Sequence, residues 1–590
     1  MNSRALKPIR EGFSFGRFEL DVHARELRKD GVRLRLQDQP FEVLLMLLQQ
    51  AGDVLTREDL RQRLWPDGTF VDFEHGLNAA VKRLRSALGD SADAPRFIET
   101  LHRRGYRFIG AVTPIRSRDA QPVAAKSVDA VVRVAVMPFA SLGDAAAGDY
   151  FSEGLSEEMI TQLGRLSGDR LRVLARFSSV LARQNGRPAH AIGEVLRADY
   201  LVEGTVRRDG DRVRISAQLI DTRTETQVWA DAYERRLADC FLVQSDVAAQ
   251  IVQSLAVELL PGAAASRIGT RDIGAHQAYL KGRYHWNKAG DTGLHEAVGY
   301  FERALVLDPE FATAYAALSR VHVAAADYYI DAPRQALEAA RVAAERALEL
   351  DPSDSEAHLA LAEVRKTVDW NWDGAEACYR FALAFNPCSE AAHRLYGLFL
   401  AARGRTAEAA LSAARACDLD PLCLVVNTSA AWVRYLARDY DLAIDWCRHT
   451  LDMDRAFAPA HRVKAAALLQ VGRVREAVEA LTAAVATSPD PVSLAWLAHA
   501  TAVEGDRARA QELTETLAEA SATHYVSRYH VALAEAAIGD TDRACASLAA
   551  AFEARDPAIA NLRLEPRFEP LRFDAQYRAL VDRLGLHHGR

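Results

Sequence analysis

The stretch "NAAVKRLRSALGD", residues 78–90, crowds Lys82, Arg83 and Arg85 into four positions of an amphipathic pattern. On a helical wheel at about 100° per residue, Leu77, Val81, Leu84 and Leu88 fall within about 60° of one another. Opposite them lie His75, Ala79, Lys82, Arg83 and Ser86, with Asn78 and Arg85 on one flank. The apolar stripe reads as a core face. The other face offers amide and basic donors with small residues between them, a surface that a DNA groove approaches closely. Asn suits adenine edges, and Arg and Lys suit guanine edges or phosphates. Taken alone, such a basic face is more often merely solvated, so its neighbours decide.

Upstream, "FSFGRFELDV" and "RELRKDGVRLRL" are short alternating runs, the second turning at Asp30-Gly31, a strong hairpin pair. The pattern "DQPFEVLLMLLQQAG" predicts a helix with Asp38 able to cap, Pro40 in its first turn and Gly52 past its end. In "TREDLRQRLWP", Thr56 and Asp59 have capping-box spacing and Pro66 closes the helix. A loop, "DGTFVDFEHG", leads into the basic helix, and "RFIETLHRRGYRFIG" reads as two strands turning near Arg103–Gly105. Strands, three helices, then a hairpin with a basic tip is winged-helix order. The third helix would enter the major groove, and Arg103 and Arg104 would reach a neighbouring phosphate or the minor groove.

These residues carry a family resemblance. "LQDQPFEVLLMLLQQAGDVLTREDLRQRLWPDGTFVDFEHGLNAAVKRLRSALGD" followed by "IETLHRRGYRF" resembles the winged-helix output domain of bacterial response regulators of the OmpR/PhoB type, found also in CadC-like regulators. The resemblance implies groove and backbone roles for Asn78, Lys82, Arg83 and Arg85, and wing roles for Arg103 and Arg104. Response regulators carry a phosphoacceptor receiver domain ahead of this unit. Only about twelve residues precede it here, so control by receiver phosphorylation is not expected.

The remainder of the 590 residues divides into three parts. Residues 111–128 are polar and aperiodic with two prolines, a linker after the winged helix of 13–110. Residues 129–260 alternate strand and helix, from "VVRVAVMPF" through the hairpin at Asp209-Gly210 to the helical "LVQSDVAAQIVQSLAVEL", predicting a small mixed α/β domain. "VAVMPF", "DYFSEGLSEEMITQL" and "VWADAYER" resemble a TolB N-terminal-like domain, which implies little about function.

From 275 to 590 the chain repeats. The third residues of "LDP"-like triplets stand at 309, 352, 387, 421, 455, 489 and 557, with a spacing of 34 from 387 and Thr523 in the missing slot. A fixed 34-residue period of paired helices is the signature of tetratricopeptide (TPR) repeats. Ala297, Ala409, Ala443 and Ala477 each precede such a mark by twelve residues, and Gly404 and Gly472 sit at the turns within repeats. Eight repeats fit, the second lengthened by about nine residues, and "FDAQYRALVDRLGL" reads as a capping helix.

Composition narrows the function classes. The net charge of −7 excludes a polycation, although residues 1–110 hold 19 Lys and Arg against 16 Asp and Glu, a net of +3. That modest charge suggests dimeric or tandem binding to DNA. No run of about 18 apolar residues and no signal peptide occurs. Seven cysteines without a Cys-x-x-Cys indicate a reduced, cytoplasmic protein. No P-loop, dinucleotide fingerprint, Gly-x-Ser-x-Gly or His-Glu-x-x-His run is found. The pair Glu157-Glu158 reads as solvated. His358, His393 and His461 each lie six residues past a mark, with Asn427 in the same register. Repeats stack about 10 Å apart, too far for shared ligation at about 2 Å per bond, so no metal is expected.

The fold expected is therefore multidomain: a winged helix-turn-helix, a small α/β domain and an all-α TPR solenoid. The function expected is sequence-specific DNA binding by a transcriptional regulator that is not an enzyme and needs no cofactor. Its partners would be double-stranded DNA, a protein or peptide in the TPR groove, and no membrane. Two rivals stand beside it: a TPR scaffold whose winged helix makes protein contacts, and an enzyme with its site in 129–260.

Overall fold

The computed structural model describes residues 12–21, 26–29, 32–34, 38–52, 54–64, 73–91, 95–101, 104–110, 112–115, 131–142, 145–166, 171–184, 187–209, 212–236, 270, 272–287, 291–521 and 525–586. The chain divides into two compact units, Met1–Ser127 and Val128–Arg590.

The first unit begins with an antiparallel sheet of β1 (Gly12–Phe15), β2 (Phe18–Asp21), β3 (Glu26–Lys29) and β4 (Val32–Leu34). The run "FSFGRFELDV" is thus itself a hairpin, turning where Gly16 takes φ +57°. A fifth strand, β8 (Thr113–Ile115), lies in the stretch read as linker and pairs with β1. Phe13 and Pro114 are partners in that register. Helix α1 (Asp38–Gln49) buries Phe41 and every residue from Val43 to Leu48, which marks it as the central element. Phe15, Phe18, Phe97 and Phe108 pack ring to ring at 5.2–6.1 Å beside it. Helices α2 (Arg57–Leu64) and α3 (Phe73–Leu88) follow, and β5 (Val54–Thr56), β7 (Gly105–Phe108) and β6 (Ile98–Leu101) form a three-stranded sheet in that order. The capping box on α2 is reciprocal: Asp59 N–H donates to Thr56 Oγ1 at 3.1 Å, and Thr56 N–H donates to Asp59 Oδ2 at 3.0 Å.

In the second unit, β9 (Val132–Val136) lies parallel between β11 (Leu171–Leu174) and β12 (Tyr200–Asp209). Strands β13 (Arg212–Asp221) and β14 (Gln227–Arg236) continue antiparallel from β12, and β10 (Ala140–Leu142) runs parallel to it. Helices α4 (Ala145–Leu166), α5 (Arg176–Gln184) and α6 (Ala189–Leu196) complete the mixed α/β layer. The predicted helix near 242–259 lies outside the described residues.

Among the described residues from Ile273 to Glu553, sixteen helices pair into eight repeats. The period marks at 309, 352, 387, 421, 455 and 489 fall in the turns between repeats. Ala297, Ala409, Ala443 and Ala477 are all fully buried, as close helix approach requires, and Gly404 and Gly472 take φ +79° and +76° at the turns within repeats. The shared register of His358, His393, His461 and Asn427 has one cause. Each side chain donates to the carbonyl six residues back, those of Pro352, Pro387, Arg455 and Pro421, at 2.9–3.1 Å.

Two features of this unit were not foreseen. The α/β layer is docked on the turns between repeats. Ala175 N–H, just past β11, donates to the Leu419 carbonyl at 2.9 Å, and Arg133 donates to the Asp418 carbonyl at 2.7 Å. The Asp418 carboxylate also meets Arg133 at 3.2 Å and Arg172 at 2.6 Å. Leu419 and Cys388 are buried in one apolar core with Val134, Val173 and Val202. The array therefore covers the β11 edge of the sheet.

The second feature is the path of residues 556–586. Asp556 accepts from Tyr329, in the longer turn within repeat 2, at 2.9 Å. Glu565 accepts from Tyr435 of repeat 5, and Arg567 lies 3.8 Å from the Trp496 ring of repeat 7. Trp372 of repeat 3 donates to the Leu584 carbonyl at 2.7 Å. One segment touches repeats 2, 3, 5 and 7, so the array closes around its own C-terminal part. The stretch read as a capping helix is helical over Ala575–Arg583, and residues 557–571 form two 3-10 turns inside the array.

Candidate nucleic-acid interface

Helix α3 buries Leu77, Ala80, Val81, Leu84 and Leu88 against α1, each 3% exposed or less. Its C-terminus is closed by Gly89 at φ +62° and by Asp90 N–H donating to the Arg85 carbonyl at 2.9 Å, a Schellman end. The Asp90 carboxylate then accepts three backbone N–H groups, of Arg96 at 2.7 Å, Phe97 at 3.3 Å and Ile98 at 2.8 Å. One side chain thus joins the helix end to the first strand of the hairpin.

The hairpin is held equally firmly on its other side. Gly105 has φ +149°, and a Cβ there would lie 1.9 Å from the Leu55 carbonyl oxygen, so only glycine allows β5 and β7 to pair. Arg104 N–H donates to the Leu101 carbonyl at 2.9 Å, which closes the turn.

Asn78, Lys82 and Arg83 are exposed on α3, and Arg104 is exposed at the hairpin turn. His75 and Ala79 lie on α3, but their side chains fall outside the described residues, as does Arg103. Arg85, expected at the DNA, has its guanidinium turned to the hairpin instead. It donates to the Ile98 carbonyl at 2.7 Å and to Thr100 Oγ1 at 2.8 Å. The cause is its place on the flank nearest β6.

Two residues at this surface were missed. Arg57, at the start of α2, lies 3.4 Å from Asn78 Oδ1, and its guanidinium is 5.6 Å from the Tyr106 ring centroid. Tyr106, on β7, donates its O–H to Asn78 Oδ1 at 3.0 Å. Both belong to motifs already singled out, "TREDL" and "GYRF", but only contact across elements shows that they meet.

The carboxylate pair Glu157-Glu158 corrects an expectation. It is not solvated. Glu157 pairs with Arg283 of repeat 1 at 2.9 Å and with Arg176 at 3.6 Å, and accepts from Asn287. Burial pushes its carboxyl up, but Arg283 and Arg176 hold it below the usual range. Burial leaves Glu158 raised, with Gln162 donating to it at 2.8 Å. The cavity they line measures about 20 Å³, room for one water molecule.

The N-terminal unit is therefore a winged helix of the OmpR/PhoB type. Residues 31–108 match the family "Transcriptional regulatory protein, C terminal". Over residues 130–259, for which the sequence suggested a TolB N-terminal-like domain, the matching family is "HilA/YgeH-like transcriptional regulator, second domain". Among named relatives, the chain is 23% identical over 441 residues to transcriptional regulator HilA of Salmonella typhimurium, covering 73% of this chain and 75% of that one. It is 34% identical over 209 residues to a Rhizobium meliloti protein bearing the provisional name adenylate cyclase 3. That match spans 35% of this chain and 35% of the relative's length. Among solved structures, the Klebsiella pneumoniae RstA DNA-binding domain in complex with the RstA box is 29% identical, with a TM-score of 0.16. It covers 17% of this chain and 97% of that one. Among the described residues no helix is long and apolar enough to cross a membrane.

Proposed function

We propose that the protein is a cytoplasmic, sequence-specific DNA-binding transcriptional regulator, that it binds DNA as a dimer and that it is not an enzyme. One observation carries the reading. Within the stretch that matches the regulator family, α3 exposes Asn78, Lys82 and Arg83 on a helix whose far side is fully buried. In this reading α3 lies in the major groove, with Lys82 and Arg83 on base edges or phosphates and Arg103 and Arg104 beside the adjacent backbone. Arg85 acts through the hairpin that it holds. The commitment of Glu157 to an ion pair supports the non-enzymatic reading.

The repeat array is the sensing part and takes a protein or peptide partner. Its inward helices already hold residues 556–586, so a peptide reaches them by displacing that segment. Selection of genomic fragments on the full-length protein tests the DNA reading. Enrichment of discrete sites is the expected result, and a flat profile sinks it.

A further inference from the structure

By residue type alone, Asn suits adenine, which it recognises by accepting from N6 while donating to N7. The structure places Asn78 differently. Its Oδ1 accepts from Tyr106 O–H at 3.0 Å and lies 3.4 Å from Arg57 Nη2. A guanidinium carries donors only, so the atom facing Arg57 is the carbonyl oxygen and not the amide nitrogen. A carbonyl oxygen has two lone pairs, and here both are directed at protein donors. Tyr106 is buried, 3% exposed, and cannot swing away without leaving the core. Asn78 itself is exposed.

We propose that Asn78 is a donor-only reader, held in that state by Tyr106 and Arg57 as positioning residues. The inference rests on the DNA-binding reading above and sharpens it. The amide Nδ2 offers two N–H groups outward and no acceptor. It therefore selects acceptors on DNA, which are the N7 of either purine, guanine O6, thymine O4 or a phosphate oxygen. It gives adenine no paired contact and so no preference, because the adenine amino group would meet an oxygen already occupied and only N7 remains.

The test is selection of binding sites from a random duplex pool with the full-length protein, its Asn78→Ala and Tyr106→Phe variants, and thermal unfolding of each. With a base-edge contact, Asn78→Ala loses about tenfold discrimination for guanine or thymine at one position. Tyr106→Phe frees a lone pair of Oδ1 for the adenine amino group, and adenine becomes preferred at that same position. With a phosphate contact, Asn78→Ala weakens binding evenly across sequences and the enriched site stays the same. Asn78→Asp covers the case in which Tyr106→Phe fails to fold. Its carboxylate keeps both protein partners but has no donor, so it loses what Asn78→Ala loses. A wild-type site that requires adenine at the position altered by Asn78→Ala overturns the inference and leaves DNA binding standing. Unchanged sites and affinities in all variants do the same. No enriched site with the wild-type protein overturns the DNA reading itself.

Discussion

Glu565 and Arg567 form a two-pronged ion pair, at 2.9 and 3.0 Å, with side chains only 0% and 1% exposed. Tyr435 donates to the same carboxylate, and the Trp496 ring lies 3.8 Å from the guanidinium. Burial pushes the Glu565 carboxyl up, but Arg567 and the hydrogen bonds hold it below its ordinary value. The pair closes the interior of the array. Glu565→Ala leaves the Arg567 charge buried without a partner and is expected to cost about 3–5 kcal/mol. Because the folded-state pKa is depressed, the pair stabilises above the unfolded value near 4.3 and is lost as pH falls through the folded one. Urea unfolding of wild type and variant at pH 7 and pH 3 checks both statements. The gap between the two proteins should narrow at the lower pH.

Periodic features were legible in the chain, and contacts between distant residues were not. The 34-residue spacing located the turns between repeats because helix pairs of fixed length repeat the same small residues at each close approach, as at Ala409, Ala443 and Ala477. The stripe of Leu77, Val81, Leu84 and Leu88 likewise declared the buried face of α3. Nothing in "RDPAIANLRLEPRFEPLRF" shows that it lies inside the array, because two 3-10 turns have no period and a buried Glu–Arg pair reads as surface. The same blindness made Glu157 look solvated, since its partner Arg283 is 126 residues away. The contact of Arg85 with Ile98 and Thr100 was hidden for a subtler reason: a wheel separates buried from exposed, but it does not say which flank meets the hairpin.

The docking of the α/β layer carries a pH dependence of opposite sign. Asp420, in the turn after repeat 4, is 3% exposed and accepts from Ser178 N–H at 3.0 Å and from its hydroxyl. Burial, with Glu390 adding to it, raises the Asp420 carboxyl to about 7 despite these hydrogen bonds. An unfolded Asp titrates near 3.9. Between the two values the folded state keeps a proton that the unfolded chain has lost, so stability is greatest below about 4 and declines up to about 7. Asp420→Asn keeps the accepting oxygen and removes the titration. Its Tm should match wild type at pH 4 and exceed it at pH 8. A constant difference across that range refutes the assignment.

Asp90 is the joint between α3 and the hairpin that follows it. Its replacement by Ala leaves three backbone N–H groups of residues 96–98 without their acceptor. A cost of about 1–3 kcal/mol to the N-terminal unit is expected, with the first strand of the hairpin loosening before the helix does. Amide hydrogen exchange at Phe97 and Ile98 reads that loosening directly. Exchange unchanged at these amides, with the unit still folded, contradicts the joint.

Charge on α3 and charge beneath it should behave differently in salt. Lys82, Arg83 and Arg104 are exposed, and removing one cation from a DNA phosphate lowers the slope of log affinity against log salt by about 0.9. Lys82→Ala, Arg83→Ala and Arg104→Ala should each weaken binding to a selected site, with a shallower slope wherever the native side chain meets a phosphate. Arg85 donates its guanidinium to Ile98 and Thr100, so Arg85→Ala should lower Tm and affinity while leaving the slope near the wild-type value. Fluorescence anisotropy between 50 and 200 mM salt, about the range over which such slopes are resolved, separates the two behaviours. A shallower slope for Arg85→Ala with unchanged Tm would return that residue to the DNA, and unchanged affinity for Arg83→Ala would remove α3 from the groove.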